Sequence, residues 1–258
     1  MILELDQGNT RGKWRLIREV STTGVDVEDV VARGAFPAGH WWRGEVLPPA
    51  WMTYRPARVR IANVAGRAAE DAIAGRLQRD LGVVAEFARV TAECGGVRCA
   101  YSQVERLGVD RWLAVLAAYR RSSEPALVVD CGSAVTLDLL GVGGEHLGGY
   151  IVPGLGLMRR ALYSDTDAVK VAECFPSGMS LAPGTMTDDA VNRGLPLMVL
   201  GAVDRAFEWL QQHCAEMGAG TPRLLLTGGD GALLASLGDK PFLLLPDLVM
   251  EGLALTNP

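Results

Sequence analysis

Residues 107–140 read LGVDRWLAVLAAYRRSSEPALVVDCGSAVTLDLL, and this stretch decides the fold. It opens with Gly108-Val109-Asp110-Arg111, an acid–base pair at the mouth of a helix. Trp112, Leu113, Val115, Leu116 and Tyr119 then recur at helical spacing, which predicts a helix that buries one side. The polar break Ser122-Ser123-Glu124-Pro125 ends it. Residues 126–129 are an apolar, valine-rich run too short for a helix, as expected of a strand covered on both faces. The run leads into Asp130-Cys131-Gly132-Ser133-Ala134, and 135–140 resumes the extended pattern. A carboxylate leaving a buried strand must find a cation or hydrogen-bond donors, so packing alone does not account for Asp130.

The same design stands at the start of the chain. Residues 1–5 predict a strand, followed by Asp6-Gln7-Gly8-Asn9-Thr10-Arg11-Gly12-Lys13 and a second strand at 14–17. The pattern is strand, tight turn, strand, with Gly8 and Asn9 expected to supply the positive φ of a hairpin. Gly8-Asn9 alone would read as a surface turn. Asp6, the Thr10 hydroxyl and Lys13, however, all converge on it. Turn amides beside a hydroxyl and an ammonium make an anion cradle, and the carboxylate can hold a magnesium-bound water. Two copies of strand–Asp–x–Gly–hydroxyl, about half a chain apart, predict a duplicated architecture with a phosphate between its halves.

The whole-chain properties narrow the classes. A length of 258 residues allows one large domain or two smaller ones. With 49% hydrophobic and 21% charged residues the chain is globular. Its net charge of -5 and the absence of a basic stripe argue against a nucleic-acid partner. No apolar run is long enough to cross a bilayer, so no membrane partner is expected. The first residues read as a strand rather than a leader. Five cysteines, odd in number and without a CxxC pair, fit reduced and mostly buried thiols in a cytoplasmic protein. His40, His146 and His213 lie far apart with no carboxylate or cysteine at ligand spacing, so no zinc site is expected.

Elsewhere the pattern alternates strands and helices. A strand at 59–64 runs to Gly66, a helix is predicted at 67–81, and a further strand at 83–87. Residues 18–57 read as polar turns and short extended pieces, with Trp41, Trp42 and Trp51 as packing. After His146 a strand runs through Gly148-Gly149 and Pro153-Gly154, where close backbone approach is expected, into a helix at 155–162. Thr185-Met186-Thr187-Asp188-Asp189 is a hydroxyl-then-acid N-cap signature. It should start a helix at Asp188 that breaks near Gly194-Leu195-Pro196, with a second helical run at 199–216. A buried strand at 223–227 turns at Gly228-Gly229-Asp230 into a helix at 232–237, then a strand at 242–245 and a short helix from Leu248.

These motifs, in this order and spacing, resemble the type III pantothenate kinases. The resemblance rests on Asp6 to Lys13, Gly108-Val109-Asp110-Arg111-Trp112, Asp130-Cys131-Gly132-Ser133-Ala134 and Gly148-Gly149-Tyr150-Ile151-Val152-Pro153-Gly154. Tyr101, Thr187 and Thr227-Gly228-Gly229-Asp230 also fall where that family has its own. It implies the acetate kinase–sugar kinase–Hsp70–actin fold: two duplicated actin-like (ribonuclease H-like) α/β domains, 1–122 and 123–258, with a nucleotide cleft between them. It also implies an ATP-dependent kinase that phosphorylates pantothenate to 4′-phosphopantothenate, a cytoplasmic homodimer requiring magnesium and a monovalent cation, potassium or ammonium.

Carried onto this sequence, the resemblance makes Asp6, Gln7, Gly8, Asn9, Thr10, Arg11, Gly12 and Lys13 the first phosphate loop. Asp6 is also a candidate for the magnesium shell, and Ser133 is the ATP-binding hydroxyl of the second loop. Asp110 becomes the general base, since a primary alcohol attacks phosphorus efficiently only if its proton is accepted. Tyr101, Gly108, Val109, Asp110, Arg111 and Thr187 become the pantothenate site, Arg111 pairing the substrate carboxylate with its planar fork. Asp130 becomes the monovalent-cation ligand. Without the resemblance, a local salt bridge is the plainer reading of Asp110-Arg111, and a turn cap stays open for Asp130 even with a cation nearby. Ser133 stands where the family usually has threonine, and Cys99 where many relatives have asparagine. The alternative from another class is a nucleotide-binding regulatory protein of the same fold. A sugar kinase predicts longer insertions and another acceptor motif.

Overall fold

Two five-stranded sheets of one topology organise this computed structural model, which describes residues 1–18, 29–36, 41–164, 175 and 178–257. Pro37, His40 and Cys174 lie outside the described residues. The first sheet is built from β1 (Ile2–Gln7), β2 (Gly12–Arg18), β3 (Asp29–Phe36), β4 (Arg58–Asn63) and β5 (Ala85–Phe87), with α1 (Pro49–Tyr54) before β4 and α2 (Arg67–Leu81) after it. Short strands β6 (Glu93–Cys94) and β7 (Val97–Arg98) precede α3 (Val109–Ser122). The second sheet uses β8 (Ala126–Cys131), β9 (Ala134–Leu140), β10 (His146–Pro153), β11 (Arg223–Thr227) and β12 (Leu243–Leu244). Its helices are α4 (Leu155–Ser164) and α5 (Thr187–Glu216) before β11, α6 (Gly231–Leu237) after it, and α7 (Leu248–Thr256) at the end.

The strand orders are β3-β2-β1-β4-β5 and β10-β9-β8-β11-β12. In each, the first three strands pair antiparallel in sequence and the last two add parallel to the first. The duplicated α/β architecture expected from the two aspartate turns is therefore present strand for strand. By compactness the chain divides into one unit of Met1–Cys94, Ser102–Ala117 and Val249–Pro258 and another of Gly95–Tyr101 and Ala118–Leu248.

Alternation in β1 sends Leu3 and Leu5 to one side, where they meet Trp14, Leu16, Ile61, Ile73 and Leu77 in a single core. Trp41 and Trp51 complete it, their rings 5.2 Å apart and nearly perpendicular, the geometry that ring quadrupoles favour. The other face of β1 buries Glu4, which binds Arg15 at 2.6 Å and Arg60 at 3.5 Å on the flanking strands. In the second unit Leu127, Val129, Val135 and Leu137 pack against Val199, Val203, Phe207 and Leu210 of α5.

Four expectations are corrected. Neither Gly8 nor Asn9 has positive φ; the turn is a four-residue loop closed by Gly8 N–H donating to the Arg11 carbonyl at 3.1 Å. Gly8 is required there by space, because a Cβ would lie 2.9 Å from that carbonyl oxygen. Secondly, α3 buries every residue from Arg111 to Ala118 rather than one side. Within its unit α7 reaches it so closely that a Cβ on Gly252 would overlap the Leu113 backbone. Thirdly, α5 runs unbroken through Pro196, capped by Met186 with no side-chain cap bond. A proline inside a helix costs roughly 3 kcal/mol, yet Leu195, Pro196, Val199, Leu200, Val203, Ala206, Phe207 and Leu210 bury one continuous stripe that offsets it. Finally, 18–57 contains α1 and the eight-residue strand β3.

Candidate active site

The first unit holds the first loop and the Asp110 turn. Asp6 and Lys13 are register partners across β1 and β2, so carboxylate and ammonium share one face at the loop base. Gln7 is turned the other way and buried. Its Oε1 accepts the Trp41 indole N–H at 3.1 Å and its Nε2 donates to the Gly8 carbonyl at 2.6 Å, bracing the turn from below. Gly12 is forced by this brace, since a Cβ would stand 2.8 Å from Gln7 Oε1. Asn9, Thr10 and Arg11 at the tip are exposed.

Asp110 lies in the first turn of α3, where its charge suits the positive end of the helix. Its Oδ1 accepts the Arg111 backbone N–H at 2.8 Å. Gly108 makes room: a Cβ there would lie 2.6 Å from the same oxygen. Its carbonyl accepts the Trp112 N–H at 3.1 Å, and Val109 is buried beside it. Arg111 is itself buried, 5% exposed, which is rare for a guanidinium unless it is paired.

The second unit holds Tyr101, Asp130, Ser133 and Thr187. Asp130 is half-buried at the end of β8, level with Thr227 of β11. Beyond Thr227 the chain turns at Gly228, with φ +89°, into α6. A Cβ on Gly228 would stand 2.5 Å from Asp130 Oδ1 and from the Cys131 backbone, so only glycine fits. The Asp230 N–H donates to the Cys131 carbonyl at 3.0 Å, joining the two turns. Burial pushes the Asp230 carboxyl up while Arg159 pulls it down. Burial first, then the charges of Asp130 and Asp230, push the Cys131 thiol up to about 12, so it stays protonated at neutral pH.

Ser133 is exposed at the tip of the second loop. The Gly154 N–H donates to its carbonyl at 3.1 Å, and a Cβ on Gly154 would overlap the Gly132 and Ser133 backbone. Thr187, also exposed, is the first residue of α5. That end is fastened by Arg193, which binds Asp189 and the Ala182 carbonyl, each at 2.9 Å. Tyr101 lies parallel to the His146 ring, 9° between planes and 6.3 Å between centroids. The structure thus gathers the first loop with Gly108 to Arg111 in one unit, and Tyr101, Asp130, Ser133 and Thr187 in the other.

Among the described residues no three His, Cys, Asp or Glu side chains converge as a metal cage. Asp6 could hold magnesium in the manner usual beside nucleotides, through one carboxylate with water and the phosphates. The Asp130 Oδ1 and the Ala134 carbonyl oxygen both lie within 4 Å of where a Cβ on Gly132 would stand, oxygens of the kind that could hold a hard cation. Arg159 carries no signal in the sequence, and Asp230 stands there only as part of the Thr227–Asp230 turn. His146 has no carboxylate at ligand spacing in the sequence, whereas the hairpin brings Asp138 to 3.0 Å from it. No local motif marks such pairs, because strand register makes them.

With this geometry, the paired sheets and their two aspartate turns define a protein of the acetate kinase–sugar kinase–Hsp70–actin fold. Two solved structures share the fold over almost the whole chain. A Campylobacter jejuni protein provisionally assigned as a conserved Baf family transcriptional activator aligns with TM-score 0.60 and 20% identity, over 98% of this chain and 95% of that one. A Sinorhizobium meliloti protein provisionally assigned as a 2-dehydro-3-deoxygalactonokinase aligns with TM-score 0.55 and 15% identity, over 98% and 97%. At such identities the likeness concerns the fold alone. The sequence comparisons go further. The family model for type III pantothenate kinase matches residues 2–208. The type III pantothenate kinase of Chromohalobacter salexigens is 39% identical over all of this chain and 88% of its own length. That of Ectopseudomonas mendocina is 38% identical over all of this chain and 99% of its own. The chain belongs to the type III pantothenate kinase family.

Proposed function

We propose that this protein transfers the terminal phosphoryl group of ATP to the primary hydroxyl of pantothenate, giving ADP and 4′-phosphopantothenate, the first step of coenzyme A synthesis. The observation that carries this reading is the family match over residues 2–208, with relatives of that name identical at 36–39% along the full chain. No observation favours the regulatory alternative.

Asp110 accepts the hydroxyl proton as the oxygen bonds to the γ-phosphorus and the bond to the β,γ-bridging oxygen breaks, leaving its electron pair on ADP. The Arg111 N–H fixes one carboxylate oxygen, so the base is oriented before substrate arrives. Arg111, Gly108, Val109, Tyr101 and Thr187 hold pantothenate, with the guanidinium on its carboxylate. Asp6 to Lys13 and Ser133 cradle the phosphates of ATP. Magnesium at Asp6 and potassium or ammonium at Asp130 supply the positive charge that the developing phosphates require. By chain order the duplicated domains are read as 1–122 and 123–258, while the compact units take Gly95–Tyr101 and 118–122 into the second and 249–258 into the first. The family resemblance supports a homodimer and a cytoplasmic location. In addition, no described helix is long and apolar enough to cross a membrane.

The test is ADP release with and without pantothenate, in potassium and then in sodium at equal ionic strength. Release that depends on pantothenate and is faster in potassium is expected, with Asp130→Ala lowering the potassium rate to the sodium one. Simple screening treats these two ions nearly alike and cannot mimic that difference. Release indifferent to pantothenate sinks the functional reading, and a rate indifferent to the ion sinks the role of Asp130.

A further inference from the structure

His146 and Asp138 form a buried polar pair for which the phosphoryl transfer above has no use. Asp138 is 2% exposed on β9 and His146 is 1% exposed on β10. They would not face each other in a regular hairpin, where His146 opposite Leu140 would set Asp138 opposite Gly148 rather than Gly149. A bulge between His146 and Gly149, with Gly148 at φ +95°, shifts the register and brings His146 Nε2 to 3.0 Å from Asp138 Oδ1. Since a carboxylate only accepts, the proton between them is carried by Nε2. The other ring nitrogen, Nδ1, is buried with no hydrogen-bond partner. A buried polar nitrogen left so is costly, and an apolar residue of the same size would avoid it. The pair therefore contributes something other than stability.

What it contributes is a ring of fixed plane beside Tyr101. The segment that carries Tyr101 is clamped to the turn before His146 at two points. Gly144, at φ +79°, lies so near the Gly96 carbonyl that any Cβ would overlap it. Arg98 bridges to Glu145 in parallel pairing. The Tyr101 ring then lies parallel to His146 at 6.3 Å, within the range of offset aromatic pairs. We infer that His146 is a positioning residue for pantothenate recognition: Asp138 locks its ring, and the ring sets the place and plane of Tyr101. The inference rests on the proposed reading of Tyr101 as a pantothenate contact.

The experiment compares wild-type protein, His146→Gln, Tyr101→Ala and the double variant, with KM measured separately for pantothenate and ATP. Glutamine keeps an N–H donor for Asp138 and loses the ring. His146→Gln should raise the pantothenate KM by about two- to tenfold, the worth of one aromatic contact, and leave the ATP KM within about twofold. The double variant should match Tyr101→Ala, because His146 acts only through that ring. Effects that multiply, or a KM that rises equally for both substrates, overturn the inference. Should His146→Gln fail to fold by circular dichroism, His146→Phe and His146→Leu replace it. The phenyl ring must then keep the lower pantothenate KM, and equal values overturn the inference. Wild-type protein without pantothenate-dependent turnover is a different failure, that of the functional reading itself, and the inference falls with it.

Discussion

At Asp110 two jobs meet in one side chain. Its Oδ1 receives the Arg111 N–H at 2.8 Å and steadies the start of α3, while the carboxylate as a whole can take up a proton. Asp110→Asn separates them. The amide oxygen still accepts the same N–H, so the turn persists, but an amide cannot act as a base. Turnover should fall by roughly a hundred- to ten-thousandfold while the melting temperature and the KM for pantothenate change little. The assignment is falsified if Asp110→Asn keeps near-normal turnover, and the carboxylate is then only a helix-start support.

Between elements, the second phosphate loop owes its position to the end of β10. Gly154 donates to the Ser133 carbonyl at 3.1 Å, and its missing side chain lets the two backbones touch. In Gly154→Ala the new methyl meets main-chain atoms, which yield less readily than a flexible side chain, so the loop must move. Overpacking of this kind costs about 1–3 kcal/mol. Because Ser133 sits on the displaced loop, the ATP KM should rise several-fold more than the pantothenate KM. Equal rises would place the damage in the fold at large rather than in this loop. Leu155–Ser164 begins at this contact, so the helix start and the loop are one construction.

For the molecule as a whole, the pH dependence of stability has a readable component where the ends of the chain meet in the first unit. Arg58 binds both oxygens of Glu86, at 2.7 and 2.6 Å, and donates to the Asn257 carbonyl at 3.3 Å. The Arg58 hydrogen bonds hold the Glu86 carboxyl below its ordinary 4.5, against the opposing pull of burial. A lowered carboxyl stabilises the fold above pH 4.5, and that stabilisation is lost as pH falls through the folded-state value. Both side chains are about a third exposed, so water screens the pair and the effect stays below about 1 kcal/mol. Glu86→Gln should therefore unfold at lower denaturant than wild type at pH 7, and the two curves should converge in acid. A gap that does not narrow as pH falls below 4.5 would assign the loss to packing.

Much of this protein was legible locally. The strand–Asp–Gly turns at Asp6 and Asp130 announced a duplicated fold, and the bounds of α2 and β11 follow from apolar period and glycine stops, because helix and strand signals are contained in a short window. Interior charge was not legible. Glu4 sits in an ordinary alternating strand, yet Arg15 and Arg60 neutralise it from two neighbours. His146 found Asp138 only because a bulge shifted a hairpin by its register. Pro196 continues a helix that local propensity would end, since the buried stripe on either side of it outweighs the lost bond. Tyr101 and Asp110, nine positions apart, fold into different units. Local sequence sets which conformations a segment favours, but strand register and burial choose its partners, and those depend on residues the segment cannot contain.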